Sequence, residues 1–386
     1  MNRKAWLGDR REKGQLRRLT PVLRAADGSV SLAGQGNQPV LDFSSNDYLA
    51  LSCHPLVLAT SRNFLEQGGC GTGASRLMSG DLVMHHQLEE EVALLKGREA
   101  ALLFGSGYLA NCGIIPALVG RNDVIFSDRL NHASIYDGCR LSRAKLVRFH
   151  HNDMDHLADL LRHHRGTGEA LIVAESLYSM DGDCCPLRDL VALKNRHQCL
   201  LMIDEAHATG IYGANGGGII QEEGLAAEVD VAMGTFGKAL GSYGAYAATS
   251  GEMKDFLVNR ARSFIYSTGL PPAVIGASLA AVRIVREQPE LRRRLFAKVE
   301  KFRQALRRHN IENIGASQIM PVLIGDSGKA MHIATTLRDK GVFATAVRPP
   351  TVPEGTSRLR FSITLHLQDD ALEHTAALLA DILSGS

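Results

Sequence analysis

From Val231 to Ser250 the chain reads VAMGTFGKALGSYGAYAATS. Its sole charge there is Lys238, set among Gly234, Gly237, Gly241 and Gly244 between two apolar runs. An ammonium is costly to take out of water, so a lysine held between two buried strands needs a chemical use. Three other apolar runs also end in residues able to do chemistry. AALLF leads into Gly105, Ser106, Gly107 and Tyr108. LIVAE leads to Ser179 within SLYSMDGD. LLMI ends in Asp204, Glu205, Ala206 and His207, while the run before the lysine ends in Thr235. In open α/β sheets ligands collect at the carboxyl ends of strands, so these ends form one candidate site.

Two familiar phosphate motifs must be weighed against it. GTFGKA resembles part of a P-loop, but Ala232 occupies the leading glycine position and Ala239 stands where a metal-binding Ser or Thr is needed. GSGYLA after an apolar run fits the dinucleotide pattern, with Asp123 and Asp128 downstream as ribose-binding candidates. A nicotinamide-dependent oxidoreductase is therefore an alternative, although it leaves Lys238 without a purpose. The physical content of GSG is a helix N-terminus that binds any phosphate.

Pyridoxal 5′-phosphate (PLP) would use all four strand ends. Its phosphate suits the Gly105–Tyr108 turn and the Thr235 hydroxyl. Its ring nitrogen stays protonated beside an anion, which Asp204 supplies, and its aldehyde forms a Schiff base with a lysine amine. That bond removes the charge that makes Lys238 expensive. Each residue also has an ordinary structural use: Asp204 could cap a helix, Lys238 could reach the surface, and GSG could be a plain turn.

With these residues assembled, the sequence closely resembles the α-oxoamine synthases, which are fold-type I PLP-dependent transferases. DFSSNDYLALS, GTGASRLMSG, SDRLNHASIYDG, SMDGD, IDEAHATG and TFGKALG occur in the family's order. The resemblance implies that Lys238 carries the cofactor and moves the Cα proton. It implies that Asp204 pairs with the ring nitrogen, His207 bonds the ring's phenolic oxygen and His132 stacks on the ring. Ser179, Gly107, Tyr108 and Thr235 would complete the cofactor contacts. Asn46 and Arg360 would hold the amino-acid carboxylate, and Arg17 and Thr351 would face the acyl substrate, with Arg18 an alternative to Arg17. AVRPPTVPEGTSRLRFSIT and TFGKALGSYGA look most like the branch that condenses L-alanine with a pimeloyl thioester. The sister branches use glycine. In this family the glycine-rich loop GGCGTGASRLMSG lies at a homodimer interface and completes the neighbouring active site.

Bringing strand ends together requires a sheet of mostly parallel strands. Short apolar runs alternate with helical patterns such as HHQLEEEVALLKG, as they do in a mainly parallel sheet covered on both faces. The expected organisation is an N-terminal segment over 1–42, a large PLP-binding domain over 43–268 and a smaller C-terminal α+β domain over 269–386. The prolines of STGLPPAV mark the second boundary, and one long helical stretch is expected after them. The balance of the whole chain fits a soluble α/β enzyme. Of its 386 residues 45% are hydrophobic and 22% charged, with a net charge of +2. That near-neutrality argues against nucleic-acid and membrane-surface partners. The arginine-rich N-terminus reads as a solvated helix and lacks the apolar core of a signal peptide. Seven cysteines without a CxxC pair fit a reducing, cytoplasmic setting and no metal cluster. The pairs His85/His86 and His163/His164 read as surface residues.

Overall fold

Seven short strands, six of them mainly apolar, form the central sheet: β1 (Ala100–Phe104), β2 (Val124–Asp128), β3 (Lys145–Phe149), β4 (Ala170–Glu175), β5 (Leu200–Asp204), β6 (Val231–Thr235) and β7 (Ala245–Thr249). Their spatial order is β1-β7-β6-β5-β4-β2-β3. The pairs from β6 through β3 are parallel, and β7 alone runs against its neighbours. Burial explains the composition: β2, β4 and β7 are buried along their whole length, as strands covered on both faces must be. Edge strand β3 (KLVRF) is half-exposed and mixes charge with apolar residues, so its sequence lacks the continuous run that marks the other six.

The structure, a computed structural model, describes residues 2–17, 19–33 and 38–385. The chain divides into two compact units. One comprises Leu51–Ser179 and Cys184–Arg292 and contains the seven-stranded sheet. The other comprises Met1–Ala50, Met180–Asp183 and Arg293–Ser386. This division lies later than the proline signal at Thr268. The reason is the helix Pro272–Glu287, which stays with the sheet-bearing unit. Ser61 Oγ donates to Ala273 O at 2.8 Å, and a side chain at Gly276 would strike Phe64 and Thr60 O. The expected long helix is two, Pro272–Glu287 and Glu290–Arg308, because Pro289 cannot continue the first.

The second unit holds a three-stranded antiparallel sheet (Ile319–Gly325, Ser357–Ser362, Thr345–Val347) and a four-stranded one built from Val22–Arg24, Val30–Leu32, Pro39–Asp42 and Val342–Phe343. Its core is keyed by Phe43, Phe302 and Phe361, whose ring centroids lie 5.4–5.6 Å apart. Phe302 belongs to the buried stripe Leu295, Val299, Phe302, Leu306 of one helix, spaced for a single face. The N-terminal helix Arg3–Glu12 buries no side chain. No described helix is long and apolar enough to cross a membrane, and all seven cysteines are free.

His85 corrects the surface reading of its pair. It is fully buried, with Nδ1 bonding Leu82 and Nε2 lying 3.1 Å from Leu270 O, while His86 stays exposed beside Asp81.

A buried ion pair ties the helix before β1 to the segment after β5. Lys96 Nζ donates to Glu205 Oε2 and to Gly217 O, and Glu205 Oε1 accepts the Ile220 N–H at 2.9 Å. Burial opposes the Lys96 charge, but the Glu205 carboxylate and Tyr246 outweigh it and hold the ammonium pKa above its ordinary value. Removing one member strands the other without water. Lys96→Met should therefore cost about 3–5 kcal/mol in urea denaturation, and adding Glu205→Gln to it should recover part of that loss.

Candidate active site

Lys238 sits on the tight connection between antiparallel neighbours β6 and β7, which pair from Thr235 and Ala245 inward. The loop is closed by its own backbone. Phe236 N–H donates to Gly244 O, Ser242 N–H to Phe236 O, and Gly241 N–H to Lys238 O, at 2.8–3.0 Å. Phe236 and Leu240 anchor it in the core. Gly241 has a φ of +60°, and a side chain there would strike Leu51 and Ser52, so glycine is required. The helix Pro272–Glu287 braces the loop from outside: Ser278 Oγ donates to Ser242 Oγ, which donates to Val274 O. Lys238 itself remains half-buried at the end of β6.

Asp204 ends the neighbouring strand β5 and is 5% exposed. Asn111 Nδ2 donates to its Oδ2 at 3.1 Å, and the Ala206 N–H donates to its Oδ1 at 2.9 Å. Asn111 lies in the helix Gly107–Leu118 that follows β1, and also bonds Ser134 Oγ. His207, three residues beyond Asp204, is buried in the turns that follow. His132 caps the helix Ala133–Ser142 through Nδ1, which accepts from the Ser134 N–H, and the His132 N–H donates to Glu175 Oε1 at 2.6 Å. Desolvation lowers the His132 pKa; the Asp204 carboxylate raises it and the Lys238 cation lowers it further. His132 and Glu175 both feel Asp204 and Lys238, so the ends of β4, β5 and β6 and the helix after β2 converge on one place.

The N-terminus of the helix Gly107–Leu118 lies at the end of β1. Ser106 Oγ serves only the Leu109 N–H there, and a side chain at Gly107 would meet nothing nearer than 3.8 Å. The peptide N–H groups of Gly107 and Tyr108 begin this helix, where a side chain at Gly107 would meet Met233 and Thr235 at ordinary contact distance, and a helix N-terminus of this kind attracts anions. Tyr108 is half-exposed; its hydroxyl bonds Asp137, which pushes the phenol pKa up to about 12. Thr235 differs from a simple phosphate ligand. Its one hydroxyl proton goes to Gly244 O and its oxygen accepts the Gly237 N–H, so it braces the lysine loop. Ser179 is half-buried in the loop after β4.

The residues expected to hold substrate lie in the other unit and form two groups. Arg360 is 7% exposed, and its guanidinium donates to Ser362 Oγ at 2.7 Å, Asn46 Oδ1 at 3.2 Å and Tyr48 Oη at 3.4 Å. Tyr48 and Ser362 carried no sequence signal for this role, because both read as core positions. Arg17 and Thr351, 334 residues apart in sequence, meet at 3.3 Å. Arg348 grips the Gly14 and Leu16 carbonyls and so fixes the segment before Arg17. Burial, then the Arg17 charge, lowers the Arg348 pKa. Arg18 lies outside the described residues.

Glu175 and Asn111 were not singled out in the sequence, although both left a trace there. Glu175 is the last residue of LIVAE, and Asn111 interrupts an apolar helix face between Ala110 and Ile114.

Comparison with known proteins follows the same lines. The model of the family described as aminotransferase class I and II matches residues 38–379. The chain is 49% identical to the 8-amino-7-oxononanoate synthase of Geobacter sulfurreducens, covering 96% of this chain and 95% of that protein. It is 45% identical to the synthase of Anaeromyxobacter dehalogenans, covering 98% and 95%. Among solved structures, a serine palmitoyltransferase from S. paucimobilis holding PLP and myriocin matches with a TM-score of 0.92 at 27% identity, over 99% of this chain and 96% of that one. The 8-amino-7-oxononanoate synthase of Francisella tularensis matches with a TM-score of 0.78 at 27% identity, over 90% and 98%.

Hydrogen bonds to a buried charge are worth about 1.5–3 kcal/mol. Asn111→Ala, which deprives Asp204 of its side-chain donor, should lower the unfolding free energy by about that amount in urea titrations at neutral pH.

Proposed function

The chain belongs to the class I and II aminotransferase family and, within it, to the 8-amino-7-oxononanoate synthases, and from that premise we propose that it condenses L-alanine with a pimeloyl thioester. The family is one of PLP-dependent acyltransferases that serve biotin biosynthesis. Carbon dioxide and the thiol carrier would be the other products. The observation that carries the reading is the meeting of strand ends: Glu175 lies in register with Asp204 and accepts the His132 N–H, and Lys238 stands on the loop that leaves the next strand. The donor set fits PLP part by part: a helix N-terminus at Gly107 for the phosphate, a buried carboxylate for the ring nitrogen, and a half-buried amine on a braced loop for the aldehyde.

When bound, PLP supplies an electron sink for negative charge at the amino-acid Cα. The chain's own residues do the rest. Asp204, held by Asn111, keeps a fixed negative charge at the end of β5. Arg360 and Asn46 receive the amino-acid carboxylate; a guanidinium fork fixes its plane as well as its charge. The Lys238 amine takes the proton from Cα as general base and returns one at the end of the cycle. His132 and His207 would hold the cofactor ring, and Gly107, Tyr108, Ser179 and Thr235 would complete its binding site. Arg17 and Thr351 receive the acyl substrate. The adjacent Arg348 cation makes their corner favourable to a terminal carboxylate, which pimeloyl thioesters carry and acetyl thioesters lack.

A homodimer is part of the proposal. The glycine-rich loop is pinned in place: Arg76 bonds Glu89 and Asp81, Gly269 N–H donates to Ala74 O at 3.1 Å, and a side chain at Gly80 would strike Ala74 O. Yet this rigid loop exposes Leu77 (52%) and Met78 (77%). A fixed backbone that presents apolar side chains suits a partner surface. A second copy of the chain is the occupant the family resemblance implies.

Lys238→Ala should yield colourless protein that forms no borohydride-trapped PLP adduct and turns nothing over. Thiol release should be fast with alanine plus pimeloyl-CoA, and at least ~100-fold slower with glycine plus acetyl- or succinyl-CoA. The reverse preference would assign the chain to a sister branch. Met78→Asp should shift the protein from dimer to monomer in sedimentation velocity.

A further inference from the structure

Glu175 ends β4 in direct register with Asp204 at the end of β5. It is 4% exposed, and its Oε1 accepts the peptide N–H of His132 at 2.6 Å. Two carboxyl groups on adjacent strand ends, both out of water, resist being charged together. The charged and titratable groups that face Glu175 come from three further strands and a helix. They are Asp204 from β5, Lys238 from the loop after β6, Asp128 from the end of β2, and His132 at the start of the helix Ala133–Ser142; the buried phenol of Tyr178, in the loop directly after β4, faces it too.

Of the two acids, Asp204 has a side-chain amide donor of its own, from Asn111. The donor to Glu175 is a single peptide N–H. We propose that Glu175 is a positioning residue of the active site, a neutral carboxylic acid that clasps the backbone of His132 and leaves the negative charge to Asp204. The inference rests on the reading of His132 and Asp204 as cofactor contacts. A neutral acid holds the start of the His132 helix without competing with Asp204 for a cation.

Burial first, and then the neighbouring Asp204 charge, push the Glu175 pKa up to about 8, against the pull of Lys238 and of the His132 N–H. An unfolded glutamate releases its proton near pH ~4.3. Between that value and about 8 the folded chain keeps a proton that the unfolded chain has given up. Stability from this group is therefore complete below the unfolded value and is lost as pH rises toward 8.

Three variants test the proposal. Glu175→Gln keeps a neutral acceptor in the same place, Glu175→Ala removes it, and Glu175→Asp keeps the acid but withdraws it by a methylene. The glutamine variant should hold kcat/KM within ~2-fold of the parent at pH 7. The alanine variant should lose ~10-fold or more, and the aspartate variant should fall between them. Glutamine falling as far as alanine would overturn the proposal, because the ionised form would then be the working one. A second measurement needs neither substrate nor cofactor. The thermal midpoint of the cofactor-free parent should decline from pH 5 to 8 relative to that of Glu175→Gln. Parallel midpoints across that window would also overturn the neutral acid, whatever reaction the enzyme proves to run. Should Glu175→Ala fail to fold, the glutamine comparison decides alone.

Discussion

Asp204 places a carboxyl group at the end of a strand whose other residues are apolar, and such a group is tolerated there only if its surroundings satisfy it. Asn111 reaches it from the helix after β1, and the backbone of Ala206 turns back to meet it. Lys238 acts from the loop after β6 on the same neighbours. A parallel sheet provides this economically, because its strands all deliver their last residues to one edge. The chemistry at the site and the topology of the sheet are therefore one constraint seen from two directions. Residues that lie far apart in sequence become neighbours because each ends a buried strand or lies in the segment that follows one.

The second unit solves a different electrostatic problem. Arg360 is buried, and its guanidinium hydrogen-bonds the side-chain oxygens of Ser362, Asn46 and Tyr48. Tyr48, itself buried, has its phenol pKa raised by desolvation against the pull of the Arg360 charge, so it stays neutral. Such a cluster holds the guanidinium fork in a fixed orientation, which suits bidentate capture of an incoming carboxylate. Arg17 and Arg348 repeat the theme at the Thr351 corner, where two cations lie close together.

Much of this was legible in the sequence, and the residues that were not share a physical cause. Strand ends announce themselves because an apolar run stops at a polar residue, and Lys238, Asp204, His207 and Thr235 stand at or just beyond such ends. Glu175 obeys the same rule, but the eye passes to SLYSMDGD beyond it. Tyr48, Ser362 and Asn111 are supports, and supports look like ordinary core or helix residues until their partners are known. His85 reads as polar surface beside His86, yet it falls on the buried face with Leu88, Val92 and Leu95, where hydrogen bonds to Leu82 and Leu270 satisfy it. Strand β3 escaped notice because an edge strand needs no continuous apolar run. The proline signal at STGLPPAV marked the start of a helix, since proline suits a first turn, and the fold continued through it.

The antiparallel placement of β7 carries a consequence for how this chain can vary. Every other connection beyond a strand end in the parallel part of the sheet crosses over through helix and loop, where added residues can bulge into solvent. The nine-residue link bearing the lysine is pinned at both mouths by ladder hydrogen bonds and capped by a helix. One extra residue that slipped β7 by a position would exchange the side chains presented to its two buried faces. Length polymorphism among relatives should accordingly be forbidden between Thr235 and Gly244, while composition there remains freer than length.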